Sequence, residues 1–341
     1  MSDATDAGWL LLTNDDGIQA IGMKLLVESL NQRGHKVVVF APSDNQSATG
    51  MRINLMTPLE WRFRNDLKEQ WNVDDKDLHL IELDGTPCDT MIVALDRGLQ
   101  HILPDVVPRL VVSGVNLGPN MSQDSYHSGT MGAAREAGLY GMPAIASSLT
   151  SFEDEGMESA VKATVEVIEQ ALEILPVVPE NLRRPSVDLA KPHISRWPII
   201  EDEPAWSSNP AEALRMAFRN GELMLNINTP PDWNGKFQTT RLGMRWYRDA
   251  ISFSEGKDNQ KTATFTIGAA SIDHTPVNNS DCDTVMVRQS SISCLPTWPQ
   301  THPLALDDRL LTWSLKSGEH NYPVWLLSLI HISEPTRQSS I

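Results

Sequence analysis

Apolar positions take two textures in the first half of this chain. Short unbroken runs alternate with stretches in which apolar residues recur every three or four positions. Trp9-Leu10-Leu11-Leu12-Thr13 is a run of the first kind, as a strand covered on both faces should be. Asn14-Asp15-Asp16-Gly17 follows as a turn. Ile21, Leu25, Leu26 and Leu30 then fall on one face of a helix, which Gly34 closes as a C-terminal cap. Residues 36–41 predict the next strand, and Pro42 ends it. A strand, helix and strand of this length imply parallel pairing and a right-handed crossover. Residues 109–113 and 143–147 predict further buried strands, and residues 128–139 an Ala-rich helix. Met157, Val161, Val165, Ile168, Leu172 and Leu175 mark a long amphipathic helix.

Beyond that helix the pattern breaks. Prolines at 176, 179, 185, 192, 198, 204 and 210 rule out a long helix and mark an irregular excursion. Residues 223–228 return as a strand. Residues 241–296 read as short strands and turns, including strands at 262–267 and 285–287. The expectation is an α/β fold: a Rossmann-like three-layer core with a mostly parallel sheet, plus a β-rich C-terminal appendage. Residues 8–180 form the core and residues 181–300 the irregular and β-rich part. Residues 301–327 form a C-terminal extension. Residues 328–341 read as a translated adapter, a non-native tail, and stay outside the fold argument.

Composition narrows the classes. With 40% apolar and 21% charged residues, a packed globular chain is expected rather than a disordered one. No apolar stretch is long enough to span a membrane, and the acidic, polar start is unlike a signal peptide, so the expected place is the cytoplasm. Cys88, Cys282 and Cys294 are widely spaced, odd in number and free of any metal pattern. A net charge of −16 repels duplex nucleic acid, yet a bound divalent cation can reverse the field locally for a small phosphate ester.

The chemistry gathers in the turns after the predicted strands. These are Asn14-Asp15-Asp16-Gly17, Ser43-Asp44-Asn45-Gln46-Ser47, and Ser113-Gly114-Val115-Asn116-Leu117-Gly118-Pro119-Asn120. In open α/β sheets ligands bind outside the carboxyl ends of the strands, so three oxygen-rich loops are expected at one rim. Two carboxylates about 4 Å apart repel by about 4 kcal/mol at an effective dielectric near 20, a cost that a divalent cation removes. Asp15, Asp16, Ser47 and Asn116 supply the oxygen set that Mg²⁺ and similar hard ions prefer. Acidic pairs also occur in solvated turns that bind nothing. Ser128-Gly129-Thr130 opens the Ala-rich helix, where free N–H groups can hold a phosphate; Ser128 can equally act only as a helix cap. His127 reads as a surface or packing residue, with a general-acid role as the alternative. HExxH, GxSxG, P-loop and GxGxxG patterns are absent.

Taken together, these residues resemble the SurE family. Leu11-Leu12-Thr13-Asn14-Asp15-Asp16-Gly17-Ile18 resembles its N-terminal TNDDG segment, and Asn45-Gln46-Ser47 its serine loop. Gly85-Thr86-Pro87-Cys88-Asp89 resembles its GTP-x-D segment. Ser113-Gly114-Val115-Asn116 with Gly118, Asn120 and Asp124 resembles its SG-[IV]-N-x-G-x-N run. Ser128 to Glu136 resembles its SGT helix start, and Leu225 to Pro231 its LN-[IV]-N-x-PP strand; Arg288 to Ser293 resembles its late strand. The likeness spans residues 9–296. Ala48 and Ser122 stand where the family commonly has glycine, and His127 where it commonly has tyrosine.

The resemblance implies a metal-dependent phosphomonoesterase acting on nucleoside 5'- and 3'-monophosphates, with short-chain polyphosphate a further substrate. It implies a homodimer or tetramer built by exchanged C-terminal elements. It also implies one divalent cation per subunit, Mg²⁺ or Mn²⁺, held by Asp15, Asp16, Ser47 and Asn116. A metal-activated water is then expected to attack phosphorus, with Asp15 or Asp16 taking its proton. Asn45, Asn120 and the N–H groups around Ser128, Gly129 and Thr130 are expected to stabilise the phosphoryl oxygens. Two other readings stand beside it. One is a haloacid-dehalogenase-like phosphatase with an aspartyl nucleophile, which wants Asp-x-Asp rather than adjacent carboxylates. The other is a nucleotide or phosphate sensor that binds without turnover.

Overall fold

The first strand shows how the layers arise. Leu10 and Leu12 face one apolar core, together with Val37, Val39, Leu110 and Val112. Leu11 faces the opposite core, with Val38, Phe40, Ile81 and Val111. A strand with both faces covered has no polar side, which is why it reads as an unbroken apolar run. Each leucine removed fully from water contributes about 1.5–3 kcal/mol. The helices Ile21–Gln32 and Met157–Ile174 cover the first face, and Pro87–Val93 and Gly129–Leu139 the second.

The computed structural model describes residues 8–73, 76–177, 205–255, 263–268 and 271–327. In chain order the strands are β1 (Trp9–Thr13), β2 (Val37–Pro42), β3 (Trp61–Phe63), β4 (Leu78–Leu83), β5 (Pro108–Leu117), β6 (Ala144–Leu149), β7 (Leu223–Thr229), β8 (Phe237–Thr240), β9 (Met244–Arg248), β10 (Ile251–Glu255), β11 (Ala263–Ile267), β12 (Ser271–Thr275) and β13 (Ser290–Pro296). Nine of them form one sheet in the order β3-β4-β2-β1-β5-β6-β7-β13-β8. The run from β4 to β7 is parallel throughout; β3 and β13 pair antiparallel with β4 and β7. The α/β architecture with a mostly parallel sheet is as the pattern predicts. From β1 the chain builds outward through β2 and β4, then returns to β5 on the other side of β1. The gap between the ends of β1 and β5 is therefore the switch point of the sheet.

The β-rich second half divides its strands. β7, β8 and β13 complete the central sheet, while β9 pairs with β12 and β10 with β11 in two nested antiparallel ladders. Two local expectations fail. The strand at 285–287 is instead the end of the helix Asp281–Met286. Ser280 caps that helix by accepting the Asp283 N–H at 3.1 Å, and Met286 and Val287 lie exposed, with no sheet face to bury them. The turn after Ser113 is also late. β5 runs on to Leu117, with its register on β6 shifting between Ser113 and Asn116. The predicted strand at 262–267 is found from Ala263 onward. Thr262, prolines 179, 185, 192, 198 and 204, and the tail 328–341 lie outside the described residues. Among the described residues, no helix is long and apolar enough to cross a membrane.

Candidate active site

The aspartate pair sits at the end of β1, on the switch point. Asn14 Nδ2 donates to Gly17 O at 2.8 Å and closes the turn that presents both carboxylates. Asp15 is buried and points at the start of the helix Gly129–Leu139. Thr130 N–H donates to Asp15 Oδ2 at 3.0 Å and Thr130 Oγ1 to Asp15 Oδ1 at 2.5 Å. Ser128 caps the same helix by accepting Met131 N–H at 3.1 Å. The helix start thus spends its donors and its positive partial charge on a carboxylate of the protein. Gly129 makes that approach possible. A Cβ there would lie 2.8 Å from Asp15 Cβ and from Thr49 Oγ1.

Asp16 bridges the other two loops. Its Oδ2 accepts Leu117 N–H at 2.9 Å, from the end of β5, and its Oδ1 lies 3.5 Å from Asn45 Nδ2, a weak bond. Asn45 Oδ1 accepts Ser47 N–H at 2.9 Å, and Gln46 N–H donates to Asp15 O at 2.6 Å, which seats the serine loop against the aspartates. Asn116, the residue before Leu117, donates its Nδ2 to Gly118 O at 2.7 Å. Its Oδ1 is then the atom left to act as an acceptor or ligand. Burial pushes Asp15 above the ordinary carboxylate range, against the pull of the Thr130 hydroxyl and N–H. Burial likewise pushes Asp16 up to about 6; the Leu117 N–H opposes this, and the charge of Asp15 adds to it.

A family model described as Survival protein SurE matches residues 10–249. The chain belongs to the SurE family. A 5'-nucleotidase SurE of Prochlorococcus marinus (strain MIT 9211) is 32% identical over 246 residues, 71% of each chain. Another, from strain MIT 9301, is 30% identical over 253 residues, 72% of each chain. A 5'-nucleotidase SurE of Synechococcus sp. (strain CC9311) is 30% identical over 246 residues, 71% of this chain and 72% of the other. The crystal structure of the SurE protein from Aquifex aeolicus shares the fold, with a TM-score of 0.57 at 24% identity. It covers 85% of this chain and 94% of that one.

Not every residue expected at the SurE site meets the aspartates. Asn120 is buried against β6 and β7. Its N–H donates to Asn228 Oδ1 at 2.9 Å, its Nδ2 donates to Ser148 Oγ at 2.8 Å, and its carbonyl accepts from Asn226 and Asn228. Those bonds pin the loop after β5. His127 is exposed, and its carbonyl accepts Gly50 N–H at 2.8 Å. Sequence reading gives Asp89 no role, yet it fastens the far end of the serine loop. It accepts Asn54 N–H at 2.9 Å, Asn54 Nδ2 at 2.8 Å and Thr86 N–H at 2.9 Å. The Thr86-x-x-Asp89 spacing is a legible capping box, and that was its signal.

The donor set decides which kind of ion the site can take. Among the described residues no three His, Cys, Asp or Glu side chains gather. The set is two carboxylates with neutral hydroxyl and amide oxygens, which suits a hard ion that keeps several waters and not a thiolate- or imidazole-seeking one. Asn14 Oδ1, beside the pair, is buried without a hydrogen-bond partner among the described residues. These residues fit a divalent cation.

Proposed function

We propose that this chain is a metal-dependent phosphomonoesterase, a 5'-nucleotidase. It hydrolyses nucleoside 5'-monophosphates to nucleoside and phosphate, with 3'-monophosphates and short polyphosphate as further substrates. The observation that carries the reading is Asp16, which ties the loops of β1, β2 and β5 together at the switch point with its carboxylate raised in pKa beside a second buried one. Asp15, Asp16, Ser47 Oγ and Asn116 Oδ1 hold Mg²⁺ or Mn²⁺, one per subunit. When bound, such an ion supplies Lewis acidity toward a phosphoryl oxygen and a water activated for in-line attack.

The chain's own groups do the rest. Both oxygens of Asp15 are engaged by Thr130, so Asp15 is a fixed anchor. Asp16 Oδ1 is only weakly bonded and is the carboxylate oxygen able to accept a proton from water. Asn45 Nδ2 meets the charge that develops on the phosphoryl oxygens, while the helix start at Ser128, Gly129 and Thr130 acts through Asp15, which it holds in place. Water adds to phosphorus as Asp16 Oδ1 takes its proton, the ester P–O bond breaks, and that proton passes on to the leaving oxygen. Exposed Trp246, Phe253, Phe265 and Ile267 on the β9–β12 ladders support a homodimer or tetramer, which sedimentation can check.

The test is phosphate release from 5'- and 3'-monophosphates, tripolyphosphate and ribose 5-phosphate, after chelation and after adding back Mg²⁺ or Mn²⁺. Metal-restored release from 5'-monophosphates is expected, and Asp16→Asn should abolish both the metal response and turnover. Metal-independent release, or binding of nucleotides with no turnover, would sink the reading.

A further inference from the structure

Phe152 lies in the loop after β6, at the rim of the sheet that carries the aspartate, serine and Asn116 loops. It is 77% exposed, among the most exposed large apolar side chains of the described residues. Its ring nevertheless lies beside Gly118. Gly118 has φ +128°, and a Cβ there would lie 3.0 Å from Phe152 Cε1, 3.3 Å from Cδ1 and 3.7 Å from Asn116 Nδ2. One edge of the phenyl ring and the Asn116 carboxamide therefore flank the same bare Cα. Gly118 N–H donates to Leu149 O at 3.1 Å and Thr150 N–H to Thr229 O at 2.9 Å, tying the root of the loop to the end of β5 and to β7. Ser151 Oγ accepts Glu153 N–H at 3.0 Å and turns the chain around Phe152. The contact with Gly118 uses a ring edge, so the ring is left largely open to solvent.

Burial cannot be what selects a phenyl ring that stays in water. An open π face at the rim of the site offers stacking instead, and a nucleoside monophosphate carries its base one ribose away from phosphorus. We propose that Phe152 is the stacking platform for the nucleobase of the substrate, an inference that rests on the nucleotidase reading. Stacking accepts any base because every base has a π face, and it favours the larger one. The platform therefore confers a preference for purine over pyrimidine monophosphates and leaves the sugar phosphate to the metal site.

The experiment uses the full chain with Mn²⁺ and three substrates: adenosine 5'-monophosphate, cytidine 5'-monophosphate and ribose 5-phosphate, which has no base. Phe152→Ala should raise KM for the adenosine ester about tenfold, the size of one base–aromatic stack, with kcat unchanged. The cytidine ester should lose less and ribose 5-phosphate nothing. Phe152→Leu, which keeps packing against Gly118 but has no π face, should behave like Phe152→Ala, and Phe152→Trp should restore the low KM. Equal changes for all three substrates, or none, would overturn the platform while leaving the nucleotidase reading intact. Release of phosphate from none of them by the wild-type chain would overturn that reading and this inference with it.

Discussion

One methyl group measures how tightly the aspartate pair is held. At Gly129 a Cβ would meet Asp15 Cβ at 2.8 Å and Asp15 Oδ2 at 2.9 Å, so Gly129→Ala pushes Asp15 off Thr130. Alanine is the better helix former by about 1 kcal/mol, so the fold should survive. Turnover should fall about 100-fold, as a misplacement of about 1 Å at a reacting site does. Steady-state kcat/KM together with an unchanged melting temperature checks this; wild-type kinetics would mean that Asp15 needs no such fit. Asp16 sets a pH response of definite sign. In the cation-free protein burial holds it near 6, above the ordinary value of 3.8, so between those values the folded chain binds more protons than the unfolded one. This group's contribution to stability therefore falls as pH rises from about 4 to 6 and is level above. A cation must displace that proton. Calorimetric affinity for Mn²⁺ should fall as pH drops below about 6, and an affinity unchanged down to about pH 5 would mean that Asp16 is not a ligand.

At the scale of elements, the sequence was most legible where apolar period alone decides structure. β1, β2, β6 and the helices Ile21–Gln32 and Met157–Ile174 follow from it because each buries a regular face. It was least legible where a side-chain bond competes with propensity. Val285 and Val287 favour a strand in isolation, but the Ser280 cap and an acidic first turn start a helix at Asp281 that takes them in another direction. Backbone torsions are invisible to pattern altogether. Ala48 and Ser122 are readable as departures from the family's glycines, but only the structure shows both at positive φ, 59° and 50°. Ser122 offsets the strain: its N–H donates to Asp281 and its Oγ accepts Arg245 N–H at 3.1 Å. Exposed Ala48, with no side-chain group to bond, has no such offset. Ala48→Gly should therefore stabilise the chain by about 1 kcal/mol, the cost of a left-handed alanine, read as a higher urea midpoint. A drop in midpoint would show that unfolded-chain entropy outweighs the strain.

At the scale of the molecule, the three site loops could be expected at one rim from strand order, because a parallel sheet puts all its carboxyl ends together. What holds the rest of the chain to that sheet could not. Residues 301–327 have no period that assigns them a partner, yet Tyr322, Trp325, Leu326 and Leu327 are buried in the same core as Leu10 and Leu12. The link is Arg215 on the helix Pro210–Arg219. It is buried, and it donates Nε to Trp325 O at 2.7 Å and Nη2 to Leu327 O at 2.6 Å. Trp325 in turn packs on Phe218 of that helix with ring centroids 5.5 Å apart. A planar fork with two donors meets two carbonyls that water does not reach, a geometry lysine cannot copy. Arg215→Ala leaves both carbonyls unpaired and should cost about 3 kcal/mol. Arg215→Lys should recover less than half of that, because one ammonium replaces a two-point fork. Neither variant touches the aspartate loops, so kcat/KM at a temperature where each stays folded should match the wild type. Unfolding midpoints that barely move would mean that residues 301–327 lie on the core without holding it; a loss of kcat/KM in the folded variants would mean that the clamp reaches the site.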